Sequence, residues 1–275
     1  MADSTLSNSQ KEGFMKAKIS CVLAVFLILG LLPLTMNAQE PEKQYQLFWV
    51  LDEVVKPSMQ DEYYEAGKKW AALLTKHEFP YPFLAYWTGD EHVIWSVPIE
   101  SYADIDKIME AVGKIKEKSP DDYKAMEEAF NGTYDSERSC VFSLDYKYSM
   151  IAEEAESESE EENFIFFDIY YFEPGKEAEL NKIFDEMMAL AKDKKVSQSW
   201  YFYWGVMGTD NPVLWSAASA KNAATFYEEN AAMWKVMGEE AGKIYRKMTK
   251  YVRKHENKTA WYVKELSYNP SKKEE

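Results

Sequence analysis

Two kinds of apolar pattern alternate along the chain from residue 45 onward. Residues 45–51 (YQLFWVL) and 164–171 (FIFFDIYY) are dense in aromatic and β-branched side chains, the composition of strands. Each is followed by apolar positions at helical spacing: Tyr63, Ala66, Trp70, Leu73 and Leu74 behind Pro57, then Leu180, Ile183, Phe184, Met187 and Leu190 behind Pro174-Gly175. Ser58 is placed to cap the first of these helices, with Asp61 three residues on. A hairpin of two strands comes next, turning at Gly89-Asp90 in one half and at 208–211 in the other. Helical stretches follow at 102–112 and 123–130, then at 221–234 and 239–251, and a last strand closes each half. The pattern predicts an α+β fold in which the βαββαβ, ferredoxin-like order occurs twice.

The second occurrence matches the first in three colinear blocks. Trp87 stands 30 residues after Pro57, in FLAYW, and Trp204 stands 30 residues after Pro174, in YFYW. Val93-Ile94-Trp95-Ser96 aligns with Val213-Leu214-Trp215-Ser216, and SCVFSLDYKY (139–148) aligns with TAWYVKELSY (259–268), both at an offset of 120. Between the halves, 152–163 read AEEAESESEEEN, too acidic and too poor in large apolar groups to pack. The expected domains are a first repeat at 43–150, a solvated linker at 151–163, a second repeat at 164–269 and a polar tail at 270–275.

A sheet with one face in water alternates apolar with polar residues. Residues 83–87 (FLAYW) and 200–204 (WYFYW) do not alternate, so both sheet faces are expected to be buried. The economical arrangement packs the two tandem repeats into one α/β barrel, with helices outside and aromatic groups within. On this element order and the duplicated Trp-containing hairpins, the chain resembles the dimeric α/β-barrel superfamily. That superfamily includes antibiotic-biosynthesis monooxygenase-like, stress-responsive barrel and NIPSNAP-like domains. The resemblance implies a barrel that relatives build from two chains and that this one would build alone, as a pseudo-dimer. It implies no particular activity, because a fold does not set chemistry.

The N-terminal part reads as an address. Residues 21–34 (CVLAVFLILGLLPL) form an uncharged apolar run of 14, short of the roughly 20 residues needed to span a membrane. Lys16 and Lys18 precede it and Ala38 stands at the expected cut, so 1–38 comprise an extension and a secretory signal peptide. Met15 is the natural start of that signal, and the Ala-Gln-Glu junction resembles exported proteins of the Bacteroidetes type. The expected location is periplasmic or secreted, with no stable membrane insertion after cleavage. Removal of Cys21 would leave Cys140 alone in an apolar strand, a buried inert thiol with no intrachain disulfide.

Charge and composition narrow the chemistry. The 47 acidic residues exceed the 32 basic ones, and a net charge of -15 repels phosphate backbones, so nucleic acid is not an expected partner. Three histidines and two cysteines, none at ligand spacing, point to no metal. A haem barrel of the chlorite-dismutase kind would need an axial His in the second half. His255, the one available, sits in a polar stretch (RKHENK) that does not read as a pocket wall, so no cofactor is expected. Arg246, Lys247, Lys250, Arg253 and Lys254 read as the solvated face of the last helix.

Two sets of residues are candidates for a site. Trp87, Trp95, Trp204 and Trp215, with Tyr86 and Tyr203, either line a cavity for a flat apolar ligand or fill the barrel. Strand parity places Trp87 and Tyr86 on opposite faces, so one of them sees the interior. Asp168 stands inside an apolar strand with Phe166 and Tyr170 on its face, either a base and ligand anchor or a structurally paired carboxylate. The leading expectation is an exported protein that binds a small apolar or aromatic molecule in the barrel. A cofactor-independent monooxygenase or isomerase is the alternative, and a structural module with a filled barrel is the third. The oligomeric state is left open.

Overall fold

The computed structural model describes residues 44–150 and 163–270; the expected signal peptide, most of the acidic linker and nearly all of the tail lie outside the described residues. The elements in chain order are β1 (Tyr45–Val55), α1 (Gln60–Lys76), β2 (Leu84–Thr88), β3 (His92–Ile99), α2 (Ala103–Lys118), α3 (Pro120–Phe130) and β4 (Tyr134–Met150). They continue as β5 (Phe164–Phe172), α4 (Glu177–Asp193), β6 (Trp200–Met207), β7 (Val213–Ala220), α5 (Ala223–Met248) and β8 (Val252–Tyr262).

All eight strands close into one antiparallel ring, in the order β1-β3-β2-β8-β5-β7-β6-β4. The first four strands occupy one continuous arc and the last four the other. The seams are β2 against β8, with Trp87 opposite Trp261, and β4 against β6, with Ser143 opposite Trp204. Closure joins the two ends of the sheet, although β2 meets β8 only over Tyr86–Thr88 and Ala260–Tyr262.

Residue parity then sorts the strands' side chains. On β1, Trp49 and Val55 face outward and pack with Tyr63 and Leu74 of α1, Ile108 of α2 and Met126 of α3 in one core. Phe48 and Val50 point inward, where they meet Tyr86, Ile94, Cys140, Phe142, Tyr203 and Trp215. The middle of the ring is thus filled by aromatic contacts, including Phe48–Tyr203 at 5.7 Å and Phe142–Trp215 at 5.2 Å. Burial pushes the hydroxyl of Tyr86 and the thiol of Cys140 each up to about 12, so neither ionises at neutral pH. A second outer core, under α4 and α5, gathers Phe172, Phe184, Leu190, Leu214 and Ile244.

The structure departs from the sequence pattern in five places. Ser58 is no N-cap: it lies within the 3-10 turn Pro57–Met59, which precedes α1. The helical stretches at 221–234 and 239–251 form one element, α5, interrupted at Gly238. The last strand is Val252–Tyr262 rather than 259–268, so RKHENK is strand and not solvated loop. Arg253 and Lys254 accordingly leave the helix and stand on β8. The alignment of Trp95 with Trp215 also slips by one residue. Trp87 faces Val93 across β2–β3, whereas Trp204 faces Leu214 across β6–β7. With the two hairpins superposed on those Trp pairs, Ser216 takes the position of Trp95. One residue of slip reverses the face of a strand side chain, and Trp215 accordingly points into the ring while Trp95 points to the helices.

Candidate functional site

The slip has a consequence in volume. The outward residues of β3 are Val93, Trp95, Val97 and Ile99, all of them buried. Their counterparts on β7 are Leu214, Ser216, Ala218 and Ala220. Large groups close the space between strand and helices in the first half. Small ones leave a cavity of about 140 Å³ in the second, walled by β5, β6 and β7 on one side and by α4 and α5 on the other.

In the first half the matching space holds Trp95, 3% exposed, and Tyr63, fully buried. The Trp95 indole N–H lies 3.0 Å from a Glu53 carboxylate oxygen and 2.9 Å from the Tyr63 hydroxyl, which itself donates to Glu53. Burial raises the Glu53 pKa above the ordinary carboxylate value, outweighing the two donors that favour the charge. This half is therefore plugged by an aromatic pair with a satisfied polar core.

The cavity of the second half is mostly apolar. Phe166, Phe202 and Leu214 form its sheet wall, and Phe184 and Met187 come from α4. From α5 come Phe226, Asn230, Met233 and Met237, spaced to lie along one helical face. Beyond Met237, Gly238 takes φ 68°, ψ -162°, a conformation essentially restricted to glycine, and the helix direction changes there. The segments on both sides of the break line the cavity, the first through Phe226 to Met237 and the second through Tyr245 and Met248. Trp234 is 36% exposed at the wall and packs edge-on to Tyr245, with ring centres 5.9 Å apart across that break.

One flank is polar. Asp168 projects from β5 onto the cavity, and its cross-strand neighbour on β8 is Asn257; Tyr170, two residues on, faces His255. His255 Nε2 lies 3.1 Å from Asp168 Oδ1, and the Asn257 amide donates to the same oxygen. The Tyr170 ring stacks on His255 at 4.6 Å and 10° between planes, which fixes the imidazole against the carboxylate. Burial, together with the Asp168 charge, holds the Tyr170 hydroxyl well above its usual pKa, so it stays a neutral donor. The arrangement is a carboxylate held by an imidazole and an amide at the edge of an apolar chamber, able to accept a hydrogen bond or a proton.

The seven residues singled out from the sequence fall in different places. Asp168 lines this cavity. Trp215, Tyr86 and Tyr203 meet inside the ring, and parity holds, since Tyr86 faces inward. Trp87 and Trp95 belong to the first outer core, with Trp87 edge-on to Tyr63 at 5.7 Å. Trp204 packs against Phe172 and Phe184 in the second. Inside the ring a smaller cavity of about 40 Å³ lies beside Asp52, Arg138, Cys140 and Trp215. The larger one is not in the barrel interior but outside it, under the helices. Ser216, Ala218, His255 and Gln198 were not among the sequence candidates. The available signal was the run SAASA at 216–220, small residues where the first hairpin carries WSVPI at 95–99. Among the described residues, no group of three or more His, Cys, Asp or Glu side chains is placed to hold a metal ion.

No protein-family model matches the sequence, and no curated protein matches it. Among solved structures, the chain is similar to an anthrone oxidase-like protein at 13% identity and a TM-score of 0.52, covering 81% of this chain and 92% of that one. Candidate monooxygenases from Lactobacillus acidophilus NCFM and Fusobacterium nucleatum subsp. nucleatum align with TM-scores of 0.48 at 10% identity, each over 82% of this chain and 96% and 95% of theirs respectively. The first likeness shows the fold, a closed eight-stranded α/β barrel, and at that identity no more than the fold.

Proposed function

We propose that this protein binds a small, ring-sized apolar molecule in the cavity between the helices and the sheet of its second half. The observation that carries the reading is the replacement of Trp95 by Ser216 at the matching position, which leaves about 140 Å³ of mostly apolar space. A dry, apolar cavity of about 150 Å³ is enough to admit benzene. Pockets for small ligands combine apolar walls with a few polar groups, as Asp168 and its partners do here. Export through cleavage after Ala38, and the origin of the ring as a duplicated pseudo-dimer, belong to the same proposal. N-terminal sequencing of the mature protein tests the first, with Gln39 expected as the leading residue.

A second reading, cofactor-independent catalysis in the same chamber, is favoured by one feature, the carboxylate of Asp168 on its wall with His255 behind it at 3.1 Å. In that case Asp168 removes a proton from the bound ring compound, and Asp168→Asn abolishes turnover without abolishing binding. The first experiment is common to both readings. Titration with toluene, followed through the fluorescence of Trp200 and Trp234 on the cavity wall, is expected to saturate at one site per chain. Native mass spectrometry of protein from its own host is expected to show a co-purifying small mass. Absence of both signals leaves a structural module with a filled ring.

A further inference from the structure

Gln198 lies in the connection between α4 and β6, next to Ser199 and Trp200, and all three line the cavity. Its amide nitrogen is buried and, among the described residues, is the sole buried side-chain nitrogen or oxygen with no hydrogen-bond partner. More than nine in ten buried polar groups are partnered, so a lone exception on a cavity wall needs a physical reason. An amide N–H left without an acceptor is a standing loss of stability, removed when something in the cavity accepts from it.

The same chamber carries Asp168, whose charge repels any acceptor brought near it. A ring compound with one acceptor therefore has a preferred orientation, with the acceptor toward Gln198 and the apolar body along Phe166, Phe202 and Leu214. A carboxylate on the ligand would add a second negative charge to a site that already holds one.

We infer that the ligand is a neutral ring compound bearing one carbonyl-type acceptor, and that Gln198 is the residue that selects it. This rests on the cavity being a binding site at all, and the test separates the two. Benzaldehyde and styrene have nearly the same shape and differ in the acceptor. Dissociation constants for both, and for benzoate, are measured on the whole protein and on Gln198→Met, which keeps the length of the side chain and removes the donor. Benzaldehyde is expected to bind about tenfold tighter than styrene, the worth of one neutral hydrogen bond, and benzoate more weakly than either. In Gln198→Met the ratio is expected to fall to about one; a merely structural role would shift both compounds together and leave the ratio as it was. Equal affinities in the parent, or a ratio that survives the substitution, overturn the inference while styrene binding upholds the cavity. Failure of both compounds to bind removes the cavity reading and this inference with it.

Discussion

On the outer face of the first arc, Trp95 sits 3% exposed under the helices, with its indole nitrogen on Glu53 and Tyr63. At the matching position of the second arc, Ser216 borders a chamber with Asp168 on its wall and His255 beside that carboxylate. The two arcs share one ring, so packing in the first supports strands that the second uses as a wall. A cavity costs stability in proportion to its volume, and a single cooperative ring can carry that cost if its other side is well filled. The difference teaches where to look for function in a ring of two four-stranded arcs: at matching positions where one arc carries a large side chain and the other a small one.

The comparison breaks most visibly at Trp95. Trp95→Ser empties the first half and strips Glu53 and Tyr63 of a shared donor, and should cost about 3–5 kcal/mol of unfolding free energy. Urea denaturation measures it; a loss below about 1 kcal/mol would mean that Trp95 is not the plug described here. The reverse exchange comes next. Ser216→Trp, or the smaller Ser216→Leu if the larger group distorts the sheet, should fill the second chamber and weaken toluene binding about 100-fold, near 2.7 kcal/mol. Unchanged affinity in a variant with the parent's circular dichroism would place the ligand elsewhere.

The smallest effect concerns pH. Glu53 keeps its proton in the folded state at pH values where the unfolded chain has released it, since its folded pKa is raised. Stability contributed by this group is therefore fully present below the ordinary carboxylate pKa and declines as pH rises toward the folded value. Within that window the slope approaches about 1.4 kcal/mol per pH unit. Glu53→Gln should flatten the decline of stability as pH rises above the ordinary carboxylate range, in urea unfolding followed across pH. A slope that persists in the variant would assign the effect to another group.

Much of the architecture was legible in the chain because it rests on local chemistry. Aromatic and β-branched runs, helical spacing behind Pro57 and Pro174, and turn residues at 89–90 and 208–211 placed the strands and helices in order. Closure into a barrel followed from FLAYW and WYFYW, whose lack of polar alternation left no face for water. The strand β8 escaped this reading. Its side chains around RKHENK are polar because Arg253, Lys254, His255 and Asn257 are exposed, with His255 beside Asp168 and Lys258 at 2.5 Å from Asp90 in the β2–β3 turn, and the ladder to β5 needs only backbone. For the same reason His255 gave no sign of its role.

What the sequence determined by itself, then, was the alternation of strands and helices and the lack of a polar face in FLAYW and WYFYW, since these depend on period and composition over a few residues. The tertiary structure decided the position of the cavity, the identity of Ser216 as the counterpart of Trp95, and the meeting of Asp168 with His255. Each of these depends on strand register, where a shift of one residue turns every side chain to the opposite face. Register is set by pairing between segments far apart in the chain, 87 residues apart for Asp168 and His255.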